Sequence, residues 1–508
     1  MVYHKKLTVC LVWLACITGI TACSQKPQNP QYSAAVEKKI KQVENSLAGW
    51  VQINDSNTIW NLHDRMKFYR VKGLSIAVIN NYKLEWARGY GWADEAEQIP
   101  VTTQTLFQAG SISKSLNSVG LMKLVQDGKL GLDEDINHYL ASWKFPYDSV
   151  SKGKIITLRN LLSHTAGLTV HGFPGYEVGD SLPSIYQVLD GQRPANTSAV
   201  RSMIEPGQKY IYSGGGTTIS QLMAMDVTKM PYDEYMWQNV LKPLGMLNSS
   251  YRQPPDDAKT SQLATGYLWA EKEVKGKHHI YPEQAAAGLW TNPTDLSKYI
   301  IETQLAYEGK SAKVLTQAST QTRLETYVDS TTALGCFISK RGDIKYFSHN
   351  GSDVGFLSLY YGSLSGGNGV VIQMNADINF AMLTEVANSV ANVYGWKGFY
   401  RPEYRKTIQL PADSLPQYVG VYVQGGDTLS IHQEGGILYY ASNFMSSDHF
   451  EPLLFATADK FFIFEEGYPD FYVEKAGGLV QTITIKQKNR PDGIFKRQAA
   501  GVMFSSKF

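Results

Sequence analysis

Charge of one sign is scarce in this 508-residue chain: 48 Lys and Arg stand against 46 Asp and Glu, a net charge of +2 at neutral pH. The basic residues are scattered, so the electrostatic footprint of a nucleic-acid partner is missing. Cysteine is rarer still, with four in all. Cys10 and Cys16 lie in an N-terminal apolar stretch, Cys23 follows it, and Cys336 stands alone. No internal disulfide is therefore expected in the processed chain. Cys336, in "ALGCFIS", reads as a small buried residue in a strand. There is no Gly-x-Ser-x-Gly elbow, which disfavours an α/β-hydrolase. There is no His-Glu-x-x-His and no cysteine pair to point to a metal site. The Gly-rich "GSLSGGNG" lacks the lysine or helix that a phosphate loop requires. No internal repeat or low-complexity segment occurs. What remains is an ordinary globular composition, 43% hydrophobic and 19% charged, long enough for two or three domains.

The N-terminus carries its own pattern. "MVYHKK" is positive, Leu7 to Ile20 is apolar but too short to span a bilayer, and "ITAC" ends at Cys23. These four residues resemble the bacterial lipobox. The resemblance implies a signal peptide over 1–22, lipidation of Cys23, and a polar tether over 23–35. The expected location is the bacterial cell envelope, held to the membrane by the lipid; Ser24 favours the outer membrane in a Gram-negative cell. An ordinary secretory signal with a chance cysteine is the alternative.

Periodicity divides the rest in two. Val36, Ile40, Val43 and Leu47 recur at helical spacing. "GLSIAVINNYKLEWARGYG" reads as a β-hairpin turning at Asn80-Asn81. A helix is expected from Ser111 to about Asp127, with Ile112, Leu116, Val119 and Val125 broadly on one side and Gly128 as its stop. Further helices are expected at Leu158–Ser163, Thr217–Thr228 and Asp233–Leu241. Strand character returns through "KYFSHNGSDVGFLSLYYGS" and "NGVVIQMNAD", and "FAMLTEVANSVANVY" closes with a helix. Strands at both ends with helices between predict an α+β domain over 36–405, whose sheet unites the two ends. Pro411 and Pro416 mark a boundary. Over 412–508, short strands joined by Gly-rich turns predict a smaller all-β meander or barrel; ligand binding by that barrel is a lesser alternative to a purely structural role.

The stretch "GSISKSLNS" holds four serines and one lysine. Ser111 and Lys114 lie three apart, so on a helix they share a face. A serine hydroxyl becomes nucleophilic when a neighbouring base takes its proton, and a lysine of lowered pKa can be that base. Alone, such a pair is common on amphipathic helices. Other segments accompany it in order: "ITLRNLLSHTAGL", "YIYSGGG", "LKPLGM", "AAAGLWTNPTDLSKY" and "YFSHNGSDVGF". Together with the hairpin and "TLFQAGSISKSLNSVGLMKLVQDGKLGLDEDINHYL", they resemble the class C β-lactamase family and its penicillin-binding-protein-like, peptidase and esterase relatives, over roughly Lys72 to Gly395. The resemblance implies a β-lactamase/transpeptidase-like fold: an antiparallel sheet flanked by helices, plus a helical region. It also implies Ser111 as acylated nucleophile, Lys114 as its partner, and Tyr212 as a base whose phenol pKa is lowered by cationic neighbours. The backbone N–H groups of Ser111 and Ser352 would form the oxyanion hole, and His349, Asn350, Gly351 and Gly214 would border the substrate. No metal or organic cofactor is implied.

Two residues depart from the family pattern. Gly214 replaces the Asn of Tyr-x-Asn, and His349 stands where β-lactamases and D,D-peptidases commonly have Lys. An imidazole of ordinary pKa, about 6.5, is mostly neutral at pH 7 and holds a substrate carboxylate poorly; if it did bind one, affinity would rise as pH falls. An esterase-like hydrolase acting on small ester or amide substrates is therefore expected. A D-stereospecific peptidase or weak β-lactamase acting on cell-wall material is the second reading, and a catalytically degraded binding protein the third. His164 reads as structural and the loop around His171 as cleft rim. The adjacent His278 and His279 lack convergent metal ligands.

Overall fold

A computed structural model describes residues 29–498, except 55, 57, 257–260, 269–270, 378–379, 443–450, 464–469 and 487–491. Cys23, the signal segment and the tether as far as residue 28 lie outside the described residues.

Helix α1 (Ala34–Glu44) precedes the hairpin strands β1 (Gly73–Asn80) and β2 (Lys83–Asp94). The helical period does not run on to Leu47, which is buried in a two-residue strand paired with Ile59–Trp60. The hairpin turns at Asn81-Tyr82, one step later than the sequence implies, with positive φ of 51° and 61° at both positions, as a type I′ turn requires. Helices α2 (Ser113–Gln126), α3 (Gly214–Thr228), α4 (Gln284–Ala287), α5 (Pro293–Tyr307) and α6 (Gln317–Leu324) fill the middle of the chain. Strands β3 (Phe337–Arg341), β4 (Ile344–Asp353), β5 (Phe356–Ser363) and β6 (Gly369–Met374) follow, then helix α7 (Ala381–Val393).

The sheet runs β3-β4-β5-β6-β1-β2 and ends on the short strand Ile99–Pro100, with neighbours antiparallel throughout. It does unite the two ends of the α+β unit. Strand β1 explains why: it is buried along nearly its whole length, and its side chains alternate between two cores. Leu74, Ile76 and Val78 join the core containing Ile40 of α1 and Val386 of α7. Ala77 and Ile79 join the core containing Leu116 of α2 and Ile300 of α5. A strand covered on both faces cannot show the apolar/polar alternation of a half-exposed one.

Helix α2 differs from its amphipathic expectation. It is buried on all sides from Ser113 to Met122. Its polar residues are satisfied internally: Ser113 Oγ donates to Gly110 O (2.6 Å), Ser115 Oγ to Gly335 O (2.8 Å), Ser118 Oγ to Leu334 O (2.6 Å), and Asn117 Nδ2 to Ser220 Oγ (3.0 Å). Short hydroxyls that find carbonyl partners let a polar sequence run through a core.

Among the described residues, strands from Gly420 to Arg497 build a separate nine-stranded antiparallel sheet around Tyr422, Phe461, Phe471 and Phe495. Glu451–Pro452 and Leu454–Thr457 occupy its opposite edges, yet only Leu453 separates them. The sheet is therefore curled on itself, a half-barrel.

Candidate active site

Ser111 sits in a single 3₁₀ turn, Gly110–Ile112, that opens α2. Gly110 is needed here twice over: its φ is +51°, and a Cβ would lie 2.5 Å from Ser352 N. Ser113 locks the turn, donating to Gly110 O while accepting from Leu289 N–H at 3.0 Å. Lys114 then returns one turn later beneath Ser111. Its Nζ lies 2.9 Å from Ser111 Oγ, 2.7 Å from Ala286 O on α4, and 5.0 Å from the centroid of the Tyr212 ring.

Lys114 is only 4% exposed, and no carboxylate hydrogen-bonds to it among the described residues. Burial lowers its pKa to about 7, against a smaller opposing pull from Asp353. Asp353, also buried, is pushed well above the usual carboxylate range; its Oδ2 accepts from Gly110 N–H at 3.1 Å. Burial thus disfavours the charged form of both groups, and a neutral amine beside Ser111 is accessible near pH 7.

Tyr212 corrects one expectation. Burial raises its phenol, and the hydrogen bond with Ser111 offsets this only in part. It is a neutral hydroxyl across the working pH range, not a phenolate base. Its ring packs on His164, centroids 4.3 Å apart. His164 Nδ1 accepts from Ser213 N–H (3.2 Å), and His171 Nδ1 hydrogen-bonds to Tyr212 O. His164 is thus structural in the sense expected, but its task is to hold Tyr212.

The third segment is the end of β4. Strand β3 pairs with β4 only as far as Phe337↔Ser348, so its coverage stops before residues 349–353 and that edge lies beside the Ser111 turn. The approach is close: a Cβ on Gly351 would lie 1.9 Å from Ala109 O and 3.0 Å from Ser111 N. Ser352 and Ser111 therefore bring their backbones together, while Asn350 is exposed. His349 is 2% exposed, with Nδ1 hydrogen-bonded to Asn350 O. Burial and the nearby Lys114 lower its pKa to about 3, so its expected titration near 6.5 is overturned and the ring stays neutral.

Gly214 opens α3, three residues earlier than expected, behind the N-cap Ser213. A Cβ there would lie 2.8 Å from Phe173 Cε2. The volume that an Asn side chain needs is occupied by the His171 loop. Cys336 is buried as expected, but immediately before β3 rather than within it.

Asp353, Phe173 and Ala286 were not singled out from sequence. Asp353 alone carried a signal: His349, Gly351 and Asp353 alternate along one face of β4, and all three are buried. Phe173 and the Ala286 carbonyl reach the site only through tertiary contacts.

Residues 61–391 match the family described as Beta-lactamase. The chain belongs to that family. Among similar proteins, "Protein flp" of Staphylococcus aureus (strain MRSA252) is 25% identical over 238 residues, 46% of this chain and 43% of that protein. A "Beta-lactamase" of Pseudomonas fluorescens is 29% identical over 257 residues, 51% of this chain and 66% of that protein. The chain thus spans less than half the length of its staphylococcal relative. Two solved structures share the fold. The octameric penicillin-binding protein homologue from Pyrococcus abyssi has TM-score 0.59 and 20% identity, over 86% of this chain and 98% of that one. SurE has TM-score 0.53 and 19% identity, over 86% and 97%.

Proposed function

We propose that the chain is a serine hydrolase that works through an acyl-enzyme and acts on small neutral esters in preference to peptides or β-lactams. One observation carries the reading: a buried lysine with pKa about 7 sits 2.9 Å from a serine hydroxyl at the head of a helix. The neutral Lys114 amine takes the Ser111 proton as Oγ attacks the substrate carbonyl carbon. The N–H groups of Ser111 and Ser352 receive the developing oxyanion. The tetrahedral intermediate collapses, and the leaving alkoxide or amine receives a proton from Lys114 by way of the Tyr212 hydroxyl. Water then attacks the acyl-enzyme by the same route, releasing the acid and restoring Ser111.

Ester preference is supported by two features. His349, where penicillin-hydrolysing relatives commonly have lysine, is a neutral imidazole, so no cation stands at that position to meet a carboxylate. At Gly214 no side-chain amide is available for a substrate amide, and Phe173 makes the space apolar. Envelope location through lipid on Cys23 completes the proposal; metabolic labelling with an alkynyl fatty acid, lost in Cys23→Ala, is the expected result.

The primary test is intact mass after incubation with a fluorophosphonate and, separately, a penicillin. A phosphonyl adduct on Ser111, absent in Ser111→Ala, is expected without a penicilloyl adduct. Both adducts would favour the cell-wall peptidase or β-lactamase reading. No adduct at all would favour a binding protein. Faster cephalosporin than short-chain ester turnover would refute the ester preference.

A further inference from the structure

Away from the catalytic residues, helix α6 carries an arginine inside the protein. Arg323 is 0% exposed. Its Nη2 donates to Tyr299 OH at 3.2 Å, but Nε and Nη1 are buried without a hydrogen-bond partner. No carboxylate pairs with it among the described residues. A guanidinium cannot shed its proton, and a buried charge left uncompensated is among the most destabilising features a fold can contain.

Arg323 lines a small cavity of about 20 Å³ between α5, α6 and α2. Thr320 lies three residues before Arg323 on the same helix and lines the same cavity, and its Oγ1 is also buried and unpartnered. Much of the remaining wall is apolar, including Val119, Leu244, Val314 and Leu315. Glu302 borders the space too, but its carboxylate accepts from Ser311 Oγ and Lys313 N, each at 2.8 Å, and faces Lys313 Nζ at 3.9 Å. The Cys336 thiol and the Tyr360 phenol, the other groups near the guanidinium, are both pushed up by burial and supply no charge.

We propose that Arg323 and Thr320 hold one small monovalent anion in this cavity, chloride being the physiological candidate. Water could satisfy the donors but not the charge. The space is about that of one water, which excludes phosphate, sulfate and carboxylates. The ion also has a structural consequence. Arg323 contacts Tyr299 OH, which lies 3.3 Å from Tyr360 OH, itself 2.9 Å from Ser115 Oγ, the residue after Lys114. An anion that fixes Arg323 thereby ties α6 to the helix that carries Ser111. The site stands independently of the hydrolase reading.

The test uses the full chain, exchanged into sodium gluconate and titrated with sodium chloride or bromide at constant ionic strength. Halide is expected to raise Tm by about 2–4 °C at 150 mM. The rise should vanish in Arg323→Met and weaken in Thr320→Val, with sulfate ineffective. Crystals grown in bromide should show an anomalous peak within hydrogen-bond distance of Arg323 and Thr320, a readout that does not depend on either variant folding. Absence of that peak, or a halide-dependent rise that persists undiminished in Arg323→Met, would overturn the proposal.

Discussion

Gly351→Ala adds one methyl group where β4 crosses the Ser111 turn. The glycine is not in the left-handed region, so alanine meets no backbone penalty and the effect is purely steric. The new Cβ lies 1.9 Å from Ala109 O, about 1.5 Å short of the 3.4 Å at which ordinary contact begins. Strand β4 cannot simply retreat, because its other edge is paired to β5 through Gly351↔Ser358. The displacement therefore falls on residues 109–111 and separates the Ser111 and Ser352 amides. A shift of about 1 Å in reacting groups costs on the order of 10²-fold, and loss of one oxyanion donor about 10²–10³-fold. The rate of Ser111 phosphonylation by a fluorophosphonate should fall by about 10²–10³-fold. Overpacking should cost about 1–3 kcal/mol, read as a lower Tm. Gly426→Ala, at a turn where the added Cβ would meet no atom within 4 Å, is the control. Labelling of Gly351→Ala at the wild-type rate would refute the proposed oxyanion site.

Three further outcomes are expected. Since the neutral amine of Lys114 is the active form and its pKa is lowered to about 7, kcat/KM for an ester should rise about tenfold per pH unit below 7 and level off above it. A limb above pH 10 would mean an ordinary lysine, and a further limb between pH 5 and 8 that disappears in His349→Gln would contradict the neutral imidazole. Gly214→Asn should not create β-lactamase activity but should lower the unfolding free energy by about 1–3 kcal/mol in a urea titration, because its Cβ meets Phe173; adding Phe173→Ala should restore most of the loss. Glu385→Ala removes the carboxylate that pairs with the buried Arg65, whose Nε donates to Glu385 at 2.8 Å, and should cost about 3–5 kcal/mol in denaturant titration while leaving phosphonylation of the folded fraction unchanged.

Spacing along the chain alone determined several features. Ser111 and Lys114 lie on one side because positions three apart fall together in any helical turn, here a 3₁₀ turn running into α2. The hairpin and the closing helix were legible for the same reason. So was the order of segments that placed the chain among the β-lactamases. The limits of the sequence reading have one cause. Whether a lysine is an exposed cation or a base near pH 7 depends on desolvation by atoms distant in sequence, here Ala286 on α4 and Tyr212 before α3. The same holds for His349, whose neutrality is imposed by burial, and for Tyr212, which burial makes an acid weaker than expected. Phe173 in the space beside Gly214, the unpaired Arg323 and the curl of the C-terminal sheet were likewise decided by tertiary structure. Hydrogen-bonded periodicity is written into neighbouring residues, whereas solvent exclusion belongs to the assembled fold.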